Sequence, residues 1–450
     1  MALSSIELEK ITEGGYTFEF LKIILTQMKE DAPIEYFGSG SVLLTKDGTL
    51  ELKMYHLSSD IDHAFKEIKS LACVYPSLGK IISRDNYFSM RAYDLNGNEW
   101  NAEYLRLNST VSFPLNGRVI TAEIKEIVNS EKIEITGSVK LLVLTNGKLE
   151  FPWNSYQKTN ESFLLSECKI SRDSFSWNAH KSENDITQIS ATFEVGYANE
   201  NSSKLFLEAL SIALGKYIHP VVWMEIFNNQ KITKVCSRQK QIESKSVEQP
   251  IPTSSFRSGN PLDIAMFVEN YLAFFSEPNS PMFGYWYRIL DSANNNVENQ
   301  ALIITTTIEG VLKKYFKELG KPDLEFAAQA EQAKEIVGSL DIGTRVKDSI
   351  LKSLNANGFT AKNALHKLHP KNVVTTDMIK VWSVLRNKYA HAGQLKHDDA
   401  EIQLIVDQIY CCIGVFYILL LLKLNYTGTF INYSKAGWPE ELFPSKLNSD

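Results

Sequence analysis

The sequence lacks an excess of positive charge. Its 450 residues carry 47 Lys and Arg against 53 Asp and Glu, which gives a formal net charge of -6. A protein that coats nucleic acid over its whole surface needs clustered cations to neutralise the phosphates. The charge balance therefore argues against that class, although a local basic site remains compatible with it.

Cysteine is scarce as well. The chain has five cysteines, an odd number, and they include one adjacent pair but no CxxC motif. This pattern predicts reduced thiols in the cytosol. The five are Cys73, Cys168, Cys236, Cys411 and Cys412.

We also expect no targeting or membrane-spanning segment. The first residues, MALSSIELEKITEGG, have neither the basic start nor the apolar run of a secretory signal, so export is not expected. One continuously apolar segment runs from Ile409 to Leu422, between Asp407 and Lys423. Because a spanning helix needs roughly 20 such residues, we expect a buried helix here. The predictions are a cytoplasmic location and no membrane contact.

What the sequence does contain is a strand-rich first half. From about residue 36 to residue 197, short apolar or alternating runs are separated by turn dipeptides. Leu50, Leu52 and Met54 alternate with charged residues after an Asp-Gly pair, which is the period of a half-buried strand leaving a hairpin. Asn96-Gly97 repeats this turn chemistry. These signals predict an antiparallel sheet, arranged as a sandwich or a barrel.

A stretch rich in Ser and Pro separates this half from a helical one. Residues 243–261, ESKSVEQPIPTSSFRSGNP, have no apolar periodicity. The sequence therefore predicts an α+β chain. A β-rich sensor or regulatory domain covers residues 1–245 and includes one helix at Ser203 to Gly215; a linker covers 246–258, and an all-helical domain covers 259–450.

Caps and apolar stripes locate the helices of the second domain. Asn260 followed by Pro261 predicts the start of the first one. Asp398 and Glu401 predict a capping box at the start of the last one. That last helix is apolar on most sides, so it is either central to a bundle or partly covered by a second subunit. The helices predicted between them are Val297 to Leu319, Glu325 to Leu340, Thr344 to Leu354 and Thr376 to Ala392.

The segment RNKYAH, at the end of a predicted helix, carries the candidate chemistry. His391 can remove the proton of a 2'-hydroxyl or protonate a leaving 5'-oxygen, because an unperturbed imidazole titrates near pH ~6.5. Arg386 can hold the scissile phosphate and offset the charge that develops on it. This pair predicts RNA cleavage without a metal or another cofactor.

The spacing of the pair predicts a dimer. Five residues of α-helix give a rotation of roughly 140° and a rise of about 7.5 Å, and a single histidine supplies only one acid or base. A twofold dimer would bring a second histidine to a shared groove. The alternative is that Arg386 and His391 are a surface cation and a partner of the helix dipole, which is the commoner role of such residues at a helix end.

A family resemblance adds to this interpretation. VWSVLRNKYAHAG resembles the Rx4-6H motif of HEPN domains, and the likeness implies that Arg386, Asn387 and His391 form a ribonuclease centre at a dimer interface, with Asn387 orienting the arginine or contacting the phosphate. YFGSGSVLLTKDGTLELKMYH and FLEALSIALGKYIHPVVWMEIFNNQKITKVCSRQ resemble the N-terminal region of ApeA-like HEPN proteins, which act in bacterial anti-phage defence by abortive infection. The resemblance implies cleavage of tRNA or other host RNA after a phage-derived trigger, by a homodimer or a higher even-numbered oligomer.

Two hypotheses of different classes follow. The first is a metal-independent endoribonuclease restrained by its β-rich domain. The second is a non-catalytic module that dimerises or binds RNA, with a β domain that senses a ligand. Glu309 is a further candidate, since it can pair with Arg386 from a neighbouring helix or remain a solvated helix residue.

The other candidates have simpler structural interpretations. Gly38-Ser39-Gly40 precedes a predicted strand, so it is interpreted as a bend rather than a phosphate-binding loop. His366 and His369 have a metal-like spacing, but a helix end before Pro370 explains them. A metal or acid-base cluster is one interpretation of Asp60, Asp62 and His63, and a helix cap at Asp60 is the simpler one. An RNA guide is one interpretation of the basic residues Lys231, Lys234, Arg238 and Lys240, and a solvated strand and loop is the simpler one.

Overall fold

The structure is a computed structural model of the chain, and its contacts divide the chain into two compact units. The first consists of Met1–Leu149, Trp153–Ser203 and Ile218–Glu243, and the second of Glu150–Pro152, Lys204–Tyr217 and Ser244–Asp450. The residues that the structure describes are 3, 5–57, 81–112, 117–134, 138–146, 149–158, 163–181, 186–194, 199–238, 245–253, 259–321, 324–354, 359–369, 374–390 and 398–443.

The first unit contains, within these residues, one antiparallel sheet of fifteen strands that follows a short helix, α1 (Ser5–Glu13). Its strands are β1 (Tyr16–Gln27), β2 (Glu35–Leu44), β3 (Leu50–Leu57), β4 (Phe88–Asp94), β5 (Glu99–Leu105), β6 (Asn108–Ser112), β7 (Gly117–Ile124), β8 (Glu126–Lys132), β9 (Val139–Asn146), β10 (Ser155–Lys158), β11 (Phe163–Ser171), β12 (Phe175–Lys181), β13 (Ile186–Phe193), β14 (Pro220–Phe227) and β15 (Gln230–Cys236). Their order across the sheet is β10-β11-β12-β13-β9-β14-β15-β8-β5-β4-β1-β2-β3-β7-β6.

Period-2 alternation explains how the sheet buries one face. In β3, Leu50, Leu52 and Met54 are buried while the residues between them are exposed, as the sequence predicts. The two predicted turns contain glycines with positive φ, +83° at Gly48 and +80° at Gly97. L-residues rarely adopt this backbone conformation, whereas glycine does so without steric cost.

The Gly38-Ser39-Gly40 segment is not a bend, and that prediction was wrong. It lies inside β2 and pairs with β3. A Cβ at Gly38 would lie 2.0 Å from the backbone oxygen of Tyr55. The glycines therefore allow two strands to approach closely, a role that glycine can have inside a strand.

The second unit is helical and ends in a short strand pair. Seven of its described helices have bounds within a few residues of those that the caps and stripes predict. The other two, Pro281–Ser292 and Ala361–Leu368, were not predicted from the sequence. Its elements are α2 (Ser202–Leu214), α3 (Pro261–Phe274), α4 (Pro281–Ser292), α5 (Val297–Tyr315), α6 (Leu324–Ser339), α7 (Thr344–Ser353), α8 (Ala361–Leu368), α9 (Thr376–Ala390), α10 (Asp399–Lys423), β16 (Thr429–Ile431) and β17 (Glu440–Leu442). The predicted α+β class, an antiparallel β region followed by a helical region, is confirmed.

Two segments belong to the helical unit although the sequence predicts them outside the helical domain. The helical unit takes in Lys204–Tyr217, although the sequence predicts this helix as part of the β-rich domain. It also takes in residues 245–253 of the Ser- and Pro-rich stretch, where Val247 and Ile251 are buried. Tyr433 donates a hydrogen bond of 2.8 Å to the backbone oxygen of Gln249, so this part of the stretch is a packed strap.

Helix α10 is the central helix of this unit. It is the one described helix that is long and apolar enough to span a membrane, judged by length and composition alone, and 67% of its most apolar window is buried within the fold. Every residue from Cys411 to Leu422 is buried. A core helix requires this degree of burial, and the buried helix predicted for Ile409 to Leu422 is confirmed.

Candidate functional site

The candidate arginine is held by a helix with one buried face. In α9, Met378, Trp382, Leu385 and Tyr389 pack into the helical unit. Their spacing at three and four residues forms one apolar stripe. Arg386 follows Leu385 directly and stays 38% exposed, so its guanidinium lies at the surface on a rigid support.

Arg386 forms a two-point contact with Glu309 of α5. Its Nε lies 3.0 Å from Oε2 and its Nη2 lies 3.4 Å from Oε1 of that carboxylate. Of the two interpretations of Glu309, this contact confirms the pairing with Arg386. The fork occupies one edge of the planar guanidinium, and no described residue accepts a hydrogen bond from Nη1. The free edge is therefore available to an anion.

The same two helices are joined one turn away by a buried hydrogen bond. The indole Nε1 of Trp382 donates to the backbone oxygen of Thr305 over 3.2 Å. Trp382 and Arg386 are four residues apart on α9, as are Thr305 and Glu309 on α5. This spacing places each pair on one helix face. Two contacts therefore fix how α9 lies on α5, and with it the direction of the guanidinium.

The residues after Arg386 connect α9 to α10. Asn387 is exposed beside the arginine. The Nζ of Lys388 lies 2.6 Å from Oε1 of Glu401, and this hydrogen bond is the main cause that raises the pKa of Lys388 above its usual value. At the start of α10, the side chain of Asp398 accepts from the backbone N–H of Ala400, as its predicted cap role requires.

The remaining member of the motif, His391, lies outside the described residues. The structure describes the chain up to Ala390 and again from Asp398. Thus, of the three predicted site residues, the structure describes Arg386 and Asn387, side by side on α9. Four further candidates and one cysteine lie outside the described residues too: Asp60, Asp62, His63, Lys240 and Cys73.

Two of the other described candidates have structural partners. The Nδ1 of His369 lies 2.8 Å from the backbone oxygen of Val374, which suits a residue at a helix end. Lys234 lies 3.8 Å from Glu126 on the neighbouring strand. In the described part of the chain, no group of three or more His, Cys, Asp or Glu side chains is placed to hold a metal ion.

Sequence reasoning missed an aromatic contact beside the site. A Cβ placed on Gly310 would lie 2.7 Å from Cε1 of the Tyr285 ring, so this ring from α4 rests directly on the backbone of α5. The guanidinium carbon of Arg288 lies 5.9 Å from the centroid of the same ring. An isolated glycine inside a helical pattern often marks such a close contact, and Gly310 was the available signal.

Comparisons with protein-family models, with curated proteins and with solved structures find no match to this chain. The site itself and the sequence motif are therefore the basis on which a function is proposed.

Proposed function

We propose that this chain is a metal-independent endoribonuclease of the HEPN type that acts in bacterial anti-phage defence and cuts tRNA or other host RNA in the cytoplasm. The observation that carries the proposal is the geometry of Arg386. Its guanidinium is half-exposed, oriented by Glu309 and left with an unoccupied edge. A fork-shaped cation presented in this way suits a phosphodiester.

The proposed reaction is an internal transfer at phosphorus. His391 removes the proton of the 2'-hydroxyl, and the resulting oxygen attacks the adjacent phosphorus. The bond from phosphorus to the 5'-oxygen breaks, and this leaving oxygen takes its proton from His391 of the partner subunit. The products are a 2',3'-cyclic phosphate and a 5'-hydroxyl, so the proton count balances.

The proposed roles of Arg386 and Asn387 are electrostatic. Negative charge builds up on the non-bridging oxygens as the new bond forms, and a pre-oriented guanidinium stabilises this charge without reorganising. Asn387 is exposed next to Arg386 and would donate from its amide to the same phosphate. Two subunits, as a homodimer or within a higher even-numbered oligomer, complete the acid and base pair.

The proposed role of the β unit is restraint until a phage-derived trigger arrives. The strands β11, β12 and β13 carry an open depression of about 370 Å³, lined among others by Lys169, Trp177, Asn178 and Thr192. The side chains of Lys169, Asn178 and Thr192 offer hydrogen bonds to a ligand at this open surface. This depression equally favours the second candidate function, a non-catalytic dimerisation or RNA-binding module with a ligand-sensing β unit.

One experiment separates the two candidates. The purified chain is incubated with total tRNA and EDTA, with and without a lysate of phage-infected cells. The endoribonuclease cuts the RNA and leaves cyclic phosphate ends, and Arg386→Ala and His391→Ala each abolish both cleavage and toxicity in cells while the circular dichroism spectrum stays unchanged. Lys380→Ala, on an exposed position of α9, is the matched control and keeps both activities.

Two results would contradict the proposal. Cleavage that persists in Arg386→Ala or His391→Ala removes these residues from the reaction. An absence of cleavage under every condition, including the infected lysate, favours the non-catalytic module.

A further inference from the structure

The contact between Gly310 and Tyr285 borders an exposed strip of α5. The Tyr285 ring is half-buried and its edge rests on Gly310, while Arg288 is exposed above the ring. On the preceding residue, Glu309 holds the guanidinium of Arg386 from α9. Successive residues of one helix thus contact α4 on one side and α9 on the other.

The strip between these two contacts is open to solvent. At about 100° per residue, Leu302, Thr306 and Lys313 point into the sector that separates Glu309 from Gly310. All three are exposed. Arg386 and the Tyr285–Arg288 pair therefore stand on either side of a surface about one helix diameter wide, roughly 10 Å, with a lysine between them.

The charges on this strip are available for a ligand. Arg288 and Lys313 are exposed, and neither forms an ion pair with another residue in the part of the chain that the structure describes. Arg288 instead forms a cation–π contact with the ring of Tyr285. The overall charge of the protein is negative, so this is a local basic patch that also contains an aromatic ring.

This combination matches one ligand class. Single-stranded RNA is bound by cations that contact its phosphates and by aromatic rings or guanidinium planes on which its unstacked bases lie. In duplex nucleic acid the faces of the bases are stacked on one another, so they are not free to stack on the Tyr285 ring.

We propose that the strip of α5 between α4 and α9 binds a single-stranded segment of RNA. One base stacks on the Arg288–Tyr285 pair, Lys313 contacts a phosphate, and the next phosphate lies at Arg386. The proposal rests on the proposed function in one respect, namely that Arg386 holds the phosphate that is cut.

Binding is tested on the full chain with a probe that cannot be cleaved. A fluorescently labelled 2'-O-methyl oligouridine lacks the attacking hydroxyl, so its affinity reports the surface and not the reaction. Arg288→Ala raises the Kd at least about fivefold, as the loss of a stacking contact does. Lys313→Ala, which removes the proposed phosphate contact, makes the slope of log K against log salt concentration shallower by about 0.7, as the loss of one phosphate contact from a single strand does.

Three further variants isolate the aromatic ring. Tyr285→Leu removes the stacking surface and weakens binding by a similar factor, whereas Tyr285→Phe keeps the ring and binds as the wild type does. Gly310→Ala displaces the ring without altering its chemistry, because the added Cβ would meet it at 2.7 Å, and also weakens binding. Arg345→Ala removes an exposed arginine from α7 and is the matched control. Circular dichroism verifies that each variant is folded.

The outcomes distinguish this inference from the proposed function. If the wild type cuts tRNA while Arg288→Ala and Tyr285→Leu bind the oligouridine within about twofold of the wild type, the inference is wrong and the endoribonuclease proposal stands. If binding depends on Arg288 and Tyr285 but no RNA is cut, the surface is supported and the catalytic proposal fails. If the wild type does not bind the oligouridine, the inference is overturned whether or not tRNA is cut.

Discussion

The indole of Trp382 donates a hydrogen bond of 3.2 Å to the backbone oxygen of Thr305, and both residues are buried, at 3% and 0% exposure. A tryptophan usually finds a partner for its N–H when it is buried. Here the partner is the backbone of the helix that carries Glu309. The contact therefore couples the packing of the helical core to the direction of the Arg386 guanidinium.

Trp382→Phe tests this coupling. The variant loses the hydrogen bond and part of the ring volume, so we expect the free energy of unfolding to fall by about 1–3 kcal/mol. Urea denaturation followed by the helical circular dichroism signal measures the change. Val384→Ala, on an exposed position of the same helix, is the control and shifts the free energy by less than about 0.5 kcal/mol. If Trp382→Phe and the wild type have the same free energy of unfolding, the hydrogen bond to Thr305 does not have the role assigned to it.

Glu309 is expected to matter far more for cleavage than for stability. The Arg386 and Glu309 side chains are 38% and 39% exposed, and ion pairs this open to water contribute only about 0–1 kcal/mol. A double-mutant cycle with Glu309→Ala and Arg386→Ala should therefore give a coupling energy below about 1 kcal/mol.

For the proposed reaction, Glu309 is a positioning residue. Glu309→Ala lets the guanidinium leave its orientation, and a misplaced group can cost about a hundredfold in rate, so we expect kcat to fall at least about tenfold while KM changes less. Glu309→Gln keeps an oxygen that accepts from Nε and shows a smaller loss. A wild-type kcat in Glu309→Ala would remove this role.

Local signals in the sequence were sufficient to predict those features of the structure that depend on neighbouring residues along the chain. Asn260 accepts a hydrogen bond from the backbone N–H of Leu262 at the start of α3, as a cap next to a proline predicts. The apolar stripes of α5 and α9 also made the pairing of Glu309 with Arg386 a reasonable hypothesis, because stripes of this kind orient the remaining side chains outward.

Tertiary packing decided the features that the sequence did not reveal. Residues 245–253 have the composition of a linker, yet the fold buries Val247 and Ile251. The contact of Tyr285 with Gly310 joins two helices whose proximity no periodicity encodes. In β2, glycines that are typical of bends are instead required by the closeness of β3. In each case the missing information was which distant segment lies alongside.

Glu208 makes the stability of the helical unit depend on pH. Its carboxylate accepts hydrogen bonds from the Tyr271 hydroxyl, at 3.0 Å, and from the backbone N–H of Asn279. Burial raises the pKa of this carboxyl above its ordinary 4.5, although those two bonds and Lys204 act in the opposite direction. Because the folded protein disfavours the ionised form, the stability is fully present below about pH 4.5 and declines as the pH rises through the folded pKa.

Glu208→Gln should remove this decline. The amide oxygen can still accept from the backbone N–H of Asn279, and the amide NH2 can donate to the oxygen of Tyr271. The side chain then carries no charge that burial penalises. We therefore expect the variant and the wild type to have similar Tm values at acid pH and the variant to have the higher Tm at pH above neutral. Glu335→Gln, on an exposed position of α6, serves as control and gives no pH-dependent difference. A Glu208→Gln variant that is less stable than wild type at high pH would reverse the assigned sign.

Gly215 joins the end of α2 to the strap of residues 245–253. Its φ is +64°, and its backbone oxygen accepts a hydrogen bond of 2.9 Å from the N–H of Val247. A Cβ at this position would lie 2.1 Å from the backbone oxygen of Val247. Backbone atoms cannot rotate away as a side chain does, so any residue other than glycine must displace the strap.

We expect Gly215→Ala to lower the free energy of unfolding by more than about 2 kcal/mol. The left-handed conformation alone costs an alanine roughly 1–2 kcal/mol, and the displaced strap also loses the hydrogen bond to Val247, worth about 1 kcal/mol. Gly338→Ala is the control with the opposite sign, because nothing lies within 4 Å of its added Cβ and alanine stabilises a helix by about 1 kcal/mol relative to glycine. Urea denaturation compares the two variants. If Gly215→Ala has the same free energy of unfolding as the wild type, residues 245–253 do not pack against α2. This part of the chain is then the linker that its composition predicts.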